Sequence, residues 1–146
     1  LTGAHCFENN DCCEVESLGS SDCYKAHTVQ SSILIAKELG LKSSEWEIAY
    51  QSRIGPGWLT PFTDKRLERL PTEGAKSRGI LCPSFISDCL ETLEEIDIRG
   101  RKTFMDAGGE KMTYIPCLNE SNETVELLIS IVEDAKKFEI KALKTA

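Results

Sequence analysis

Apolar positions along this chain change their spacing several times, and each change marks an element. Val29, Ile33, Ile35, Ala36 and Leu39 recur at near-helical spacing and Gly40 follows them, which predicts a helix over about 25–39. Trp46 to Gln51 alternates as a strand does, and Gly55-Pro56-Gly57 then breaks the chain. Thr63-Asp64 can cap a short helix reaching Leu70. Gly79 to Pro83 reads as a short buried strand. Ser87 or Asp88 then caps a charged helix over about 88–105, closed by Gly108-Gly109. Met112 to Pro116 predicts a third strand. Glu123 to Phe138 predicts an amphipathic helix with Val125, Leu127, Leu128, Ile131 and Val132 on its inner side. Lys141 to Ala146 is expected to fray.

Helices alternating with short strands imply an α/β fold: a parallel sheet covered by helices on both faces, with right-handed crossovers. Such folds bind ligands beyond the carboxyl ends of their strands. Gln51-Ser52-Arg53, Pro83-Ser84-Phe85 and Pro116-Cys117-Leu118-Asn119 all fall there. Residues 1–23 stand apart. They carry Cys6, Cys12, Cys13 and Cys23 among Asn, Ser, Asp and Glu, with few aliphatic residues. A segment of that composition needs a metal, a cross-link or a neighbouring surface to hold it.

With 146 residues the chain is one domain, or one lobe of a larger protein. Its 40% hydrophobic and 28% charged residues describe a soluble globular protein. The apolar runs are too short to span a bilayer, and no signal peptide is read. The chain opens on Leu1, so its true start is expected upstream. A net charge of −7 argues against nucleic acid and fits a cation or a cationic surface. Seven cysteines without a secretory signal favour metal binding or burial over a disulfide scaffold. Cys82, Cys89 and Cys117 read as packing thiols, and His27 as a bystander on a polar face.

Asp88, Glu91 and Glu95 are spaced i, i+3, i+7 and share a helical face, with Leu90, Leu93 and Ile96 expected to bury on another. One reading is a solvated acidic face. The other is a row of hard oxygen ligands for a divalent cation, or a path for protons, and its place beyond a strand end favours this second reading.

Several runs resemble those of ferrochelatases. Gln51-Ser52-Arg53-Ile54-Gly55 followed by Trp58-Leu59-Thr60-Pro61-Phe62-Thr63-Asp64 is similar to their QSR-x-G…WL-x-P-[YF]-TD run. Cys82-Pro83-Ser84-Phe85-Ile86-Ser87-Asp88-Cys89-Leu90-Glu91-Thr92-Leu93-Glu94-Glu95-Ile96 resembles their CP-[GS]-F-x-x-DCLETLEEI segment. Ala107-Gly108-Gly109 and Tyr114-Ile115-Pro116-Cys117-Leu118-Asn119 are similar to the AGG…YIP-x-LN close. The resemblance covers about residues 24–132. It implies a C-terminal lobe over 24–138, between the cysteine-rich segment 1–23 and a basic tail 139–146, in a two-lobed enzyme of chelatase-like α/β fold.

The resemblance implies insertion of Fe²⁺ into a porphyrin in haem synthesis, with the N-terminal lobe of the same enzyme as partner. It implies that Glu91 faces the metal or accepts a pyrrole proton, with burial raising its pKa, and that Glu95 continues the acidic path. Ser52 and Arg53 fall in the expected cleft, where they meet a porphyrin propionate or fix the strand end. Trp58 is expected to pack within the lobe. The family's histidine motif, H-[GS]-x-P, is not matched by Ala4-His5-Cys6-Phe7, so the resemblance implies a catalytic histidine upstream of Leu1, with His5 in a divergent motif as the alternative. Arg99-Gly100 stands where relatives carry an acidic residue and a tyrosine, and Arg99 pairs with Glu95 at i+4.

Cys6, Cys12, Cys13 and Cys23 lack the paired C-x2–4-C knuckles of zinc sites. They resemble an insertion that binds a [2Fe–2S] cluster in some bacterial ferrochelatases. Two disulfides or free thiols are the alternative. The expected compartment is the cytoplasm, with association to a membrane surface left open. The chain alone, lacking half a cleft, is expected to be inactive. Two other functions stay open: a chelatase for another metal or tetrapyrrole, since carboxylates do not select Fe²⁺, and an iron–sulfur sensing module on an α/β scaffold.

Overall fold

Along residues 23–51 and 58–144, which the computed structural model describes, the chain forms α1 (Tyr24–Glu38), α2 (Thr63–Arg69), β1 (Ser77–Leu81), a π-helix (Glu91–Gly100), α3 (Arg101–Asp106), β2 (Lys111–Ile115) and α4 (Asn122–Lys144). β1 and β2 pair in parallel, from Ser77 opposite Lys111 to Leu81 opposite Ile115. This is the parallel α/β arrangement expected from the alternating pattern. The crossover between the strands is the π-helix and α3 in series, and both pack against β2.

The core lies beneath this crossover. Leu67 and Leu70 come from α2 and its cap, Ile96 and Phe104 from the two crossover helices, and Met112 from β2. Phe104 is fully buried. Gly109 makes its fit possible, because a Cβ there would lie 2.2 Å from the Phe104 ring. Gly40 ends α1 at φ +67°, a left-handed conformation that glycine adopts freely.

Several expectations are corrected. Trp46 to Gln51 is not a strand: among the described residues it makes only an isolated parallel bridge, Tyr50 with Phe62. Its alternating pattern is intact, but a ladder needs a neighbouring strand, and an open cavity lies between this segment and β1. The helix expected over 88–105 is a π-helix to Gly100 before it becomes α-helical. The wider i→i+5 turn leaves Thr92, Ile96 and Gly100 as the buried row. Leu90 and Leu93, expected inside, are exposed, Leu90 by 77%. The apolar face of α4 was expected inward, yet Val125, Leu127, Leu128, Ile131 and Val132 are all exposed. Neither α1 nor α4 packs against another helix or strand among the described residues. α4 continues to Lys144, past the expected end at Phe138.

Candidate active site

The carboxyl ends of β1 and β2 open into loops that are tied together. Asn119 N–H donates to Ile86 O at 2.9 Å, joining the segment after β2 to the one after β1. Beside this bond Asp88 makes a side-chain latch. Its Oδ1 accepts from Tyr114 OH at 2.5 Å and from Thr92 Oγ1 at 3.1 Å, and its Oδ2 from Asn119 Nδ2 at 2.8 Å. Asp88 N–H returns a bond to Asn119 Oδ1 at 2.9 Å. Asn119 holds a left-handed conformation, φ +51°, which asparagine tolerates better than most residues. Asn119, then Tyr114, hold the Asp88 carboxyl well below its ordinary range, while burial and this carboxylate push the Tyr114 hydroxyl up. The expected Asp88 cap therefore takes another form. Thr92 Oγ1 accepts from Cys89 N–H at 2.9 Å, while Asp88 faces the strand ends.

This latch fixes the start of the π-helix, and Glu91 stands on its first turn. Glu91 is exposed, and its carboxyl is held below the usual range by the Cys89 thiol and by its own backbone amide. The expectation that burial would raise the Glu91 pKa is thus corrected: the group is at the surface and receives hydrogen bonds that favour the charged form. One i+4 step along, Glu95 Oε2 accepts from Gln51 Nε2 at 2.5 Å. Glu95 also pairs with Arg99 at 3.3 Å, as its spacing predicted, although Arg99 lies nearer Glu94, at 2.7 Å. Asp97 pairs with Arg101, which also donates to Met112 O and ties the helix to β2.

Of the residues singled out in the sequence, Glu91 and Glu95 lie on one helical row and Asp88 faces away into the latch. Among the described residues no group of three or more His, Cys, Asp or Glu is placed to hold a metal ion. Ser52, Arg53, His5, Cys6, Cys12 and Cys13 lie outside the described residues. Cys23, which has no disulfide partner among the described residues, caps α1, its Sγ accepting from Ala26 N–H at 3.5 Å. Cys82 and Cys89 are half-buried and Cys117 is buried; burial pushes the Cys82 thiol up to about 11.

The sequence placed Gln51 and Asn119 at strand ends without giving either a role, and did not single out Tyr114, whose signal was its place in a strand facing the acidic helix. α1 reaches the same end of the sheet, with Tyr24 OH 3.3 Å from Ser84 Oγ.

Comparison with known proteins agrees with these motifs. The family model described as Ferrochelatase matches residues 14–136. A ferrochelatase of Pseudomonas fluorescens is 40% identical over 136 residues, which is 92% of this chain and 40% of that protein. One from Opitutus terrae is 45% identical over 130 residues, covering 88% of this chain and 38% of that protein. The chain thus spans about two fifths of the length of the curated relatives it matches. No solved structure matches. The match extends across the carboxylate helix, its latch and the strand ends beside them, and the chain belongs to the ferrochelatase family.

Proposed function

We propose that this chain is the C-terminal lobe of a ferrochelatase and acts with an N-terminal lobe to insert Fe²⁺ into a porphyrin. The observation that carries this reading is the Gln51–Glu95 hydrogen bond. It brings Gln51, which opens the Gln51-Ser52-Arg53 run, to the carboxylate helix near the strand ends where such folds bind ligands. Insertion requires Fe²⁺ to lose its water and two pyrrole N–H protons to leave. An ionised, exposed Glu91 suits both needs. It can attract the cation as a hard oxygen ligand, or accept a proton as the metal enters. Glu95, already bonded to Gln51 and Arg99, is the next carboxylate along that row. Ser52 and Arg53 are the residues proposed to meet a propionate. The thiol-rich composition fits the reducing cytoplasm.

The cysteine segment is proposed to hold a [2Fe–2S] cluster through Cys6, Cys12, Cys13 and Cys23. Cys23 stands at a helix start with no disulfide partner among the described residues, and a sulfur that already accepts a backbone N–H has the environment a cluster ligand uses. The cluster would be structural or regulatory, since metal insertion moves no electrons.

The test is Glu91→Gln in the full-length enzyme. Porphyrin metallation is expected to fall about 10²–10⁴-fold, with iron and acid-labile sulfide unchanged. Unaltered metallation removes Glu91 from the reaction and favours a cluster-sensing module. The isolated chain is expected to metallate no porphyrin, and measurable insertion by it would overturn the need for a second lobe.

A further inference from the structure

The segment from Asp88 to Asp97 is crowded with carboxylates, and all but one of them are engaged. Asp88 is held in the latch by Tyr114, Thr92 and Asn119. Asp97 pairs with Arg101. Glu94 and Glu95 both pair with Arg99. Glu91 is the exception. The Cys89 thiol and its own backbone amide reach it, and among the described residues no basic or amide side chain does.

The helix type explains how one guanidinium holds two carboxylates. On an α-helix, neighbours on one face lie three and four residues apart, and a residue five away has turned to another face. A π-helix closes its turn at i+5 and brings that residue back. Arg99 therefore reaches Glu94 at i−5 as well as Glu95 at i−4. Its Nε donates to Glu94 Oε2 at 2.9 Å, and its Nη2 lies 2.7 Å from the same oxygen and 3.3 Å from Glu95 Oε1. The other Glu95 oxygen, Oε2, accepts from Gln51 Nε2 at 2.5 Å. Both Glu95 oxygens are thereby taken. A guanidinium keeps its proton in a protein, so this charge is present at every working pH.

We propose that Arg99 is a charge gate toward the metal substrate: by holding Glu94 and Glu95 it ends the attractive row at Glu91 and sets how tightly the enzyme takes up a divalent cation there. The gate rests on the chelatase reading for its purpose and on the helix geometry for its residue. Affinity for a hard cation rises with the number of charged oxygens offered to it. A cation held by several carboxylates must leave all of them to enter a porphyrin, so a row closed after Glu91 favours transfer over retention.

The test is Arg99→Gln in the full-length enzyme, beside Arg99→Lys, which keeps the charge and its spacing from Glu95. The Arg99 side chain is 62% exposed, so its replacement is expected to leave the fold intact. Removing the charge is expected to lower KM for Fe²⁺ about threefold to tenfold, with KM for porphyrin unchanged. Kd for Mn²⁺, read by paramagnetic resonance without turnover, is expected to fall by a similar factor. Arg99→Lys is expected to stay near the parent on both measures. Adding Glu95→Gln to Arg99→Gln restores the net charge and is expected to remove most of the gain. An unchanged Kd for Mn²⁺ in Arg99→Gln, the same gain in Arg99→Lys, or a gain undiminished by Glu95→Gln would each overturn the gate. The Mn²⁺ measurement uses no porphyrin, so an enzyme that metallates nothing would end the chelatase reading while the gate is still decided.

Discussion

The crossover region and the two flanking helices are built from similar amphipathic sequence and end in opposite states. Leu67, Ile96, Phe104 and Met112 close on one another with almost no exposed surface. Ile33, Leu34 and Leu39 of α1 and its cap, and Leu128, Ile131 and Val132 of α4, are as apolar and stand in the open. The difference is the availability of a partner. The crossover helices reach β2 and α2 within about forty residues of chain, whereas α1 faces a cavity and α4 faces no other element among the described residues. Exposed apolar surface, where it forms a large patch, marks an interaction site.

The comparison breaks most sharply at Phe104. Phe104→Ala is expected to cost about 3–5 kcal/mol in urea unfolding, because the ring is fully enclosed and Gly109 lies against it. A cost near that of a surface change would mean that the two regions do not differ in packing.

Asp88→Asn should act next, and through pH. The folded Asp88 carboxyl titrates below its unfolded value of about 3.9, so its stabilisation is present above that pH and is lost as pH falls through the lower folded value. The gap in urea midpoint between Asp88→Asn and the parent is therefore expected to be largest near neutral pH and to close in acid. A gap independent of pH would show that the latch acts by shape alone.

Gln51→Leu should cost about 1 kcal/mol or less, since one hydrogen bond to a half-exposed carboxylate is lost. Its clearer readout is the amide exchange of the π-helix around Glu95. Smallest of all, Ile131→Lys on α4 should change stability by within about 0.5 kcal/mol while lowering self-association in sedimentation. A loss of several kcal/mol would mean that this face is covered in solution.

The same contrast explains what the sequence revealed. α1, α2, β1, β2 and α4 were legible because spacing, Gly40 and Gly108 are local signals, and α1 and α4 began within a residue of the predicted position. The ferrochelatase runs located Glu91 and Glu95 for the same reason. The π-helix was not legible, since the i, i+3, i+7 spacing of Asp88, Glu91 and Glu95 suits an ordinary α-helix. What departs from it is the contact pattern of Thr92, Ile96 and Gly100 with α2 and β2, where a Cβ at Gly100 would come 2.9 Å from Leu67. The strand over Trp46–Gln51 failed because alternation specifies a face and leaves the neighbouring strand unspecified. The lowered Glu91 pKa also depends on local contacts, with Cys89 two residues away, whereas the family resemblance implied burial.

The parallel register has a consequence for biosynthesis. Each residue of β1 pairs with one 34 positions later, Ser77 with Lys111 through Leu81 with Ile115. At a ribosomal rate of about 5–20 residues per second, β1 emerges about 2–7 s before its partner exists. Over that interval it has no strand from downstream to pair with, and the acidic helix emerges between the two. Translational pausing within this stretch would lengthen the exposure of β1.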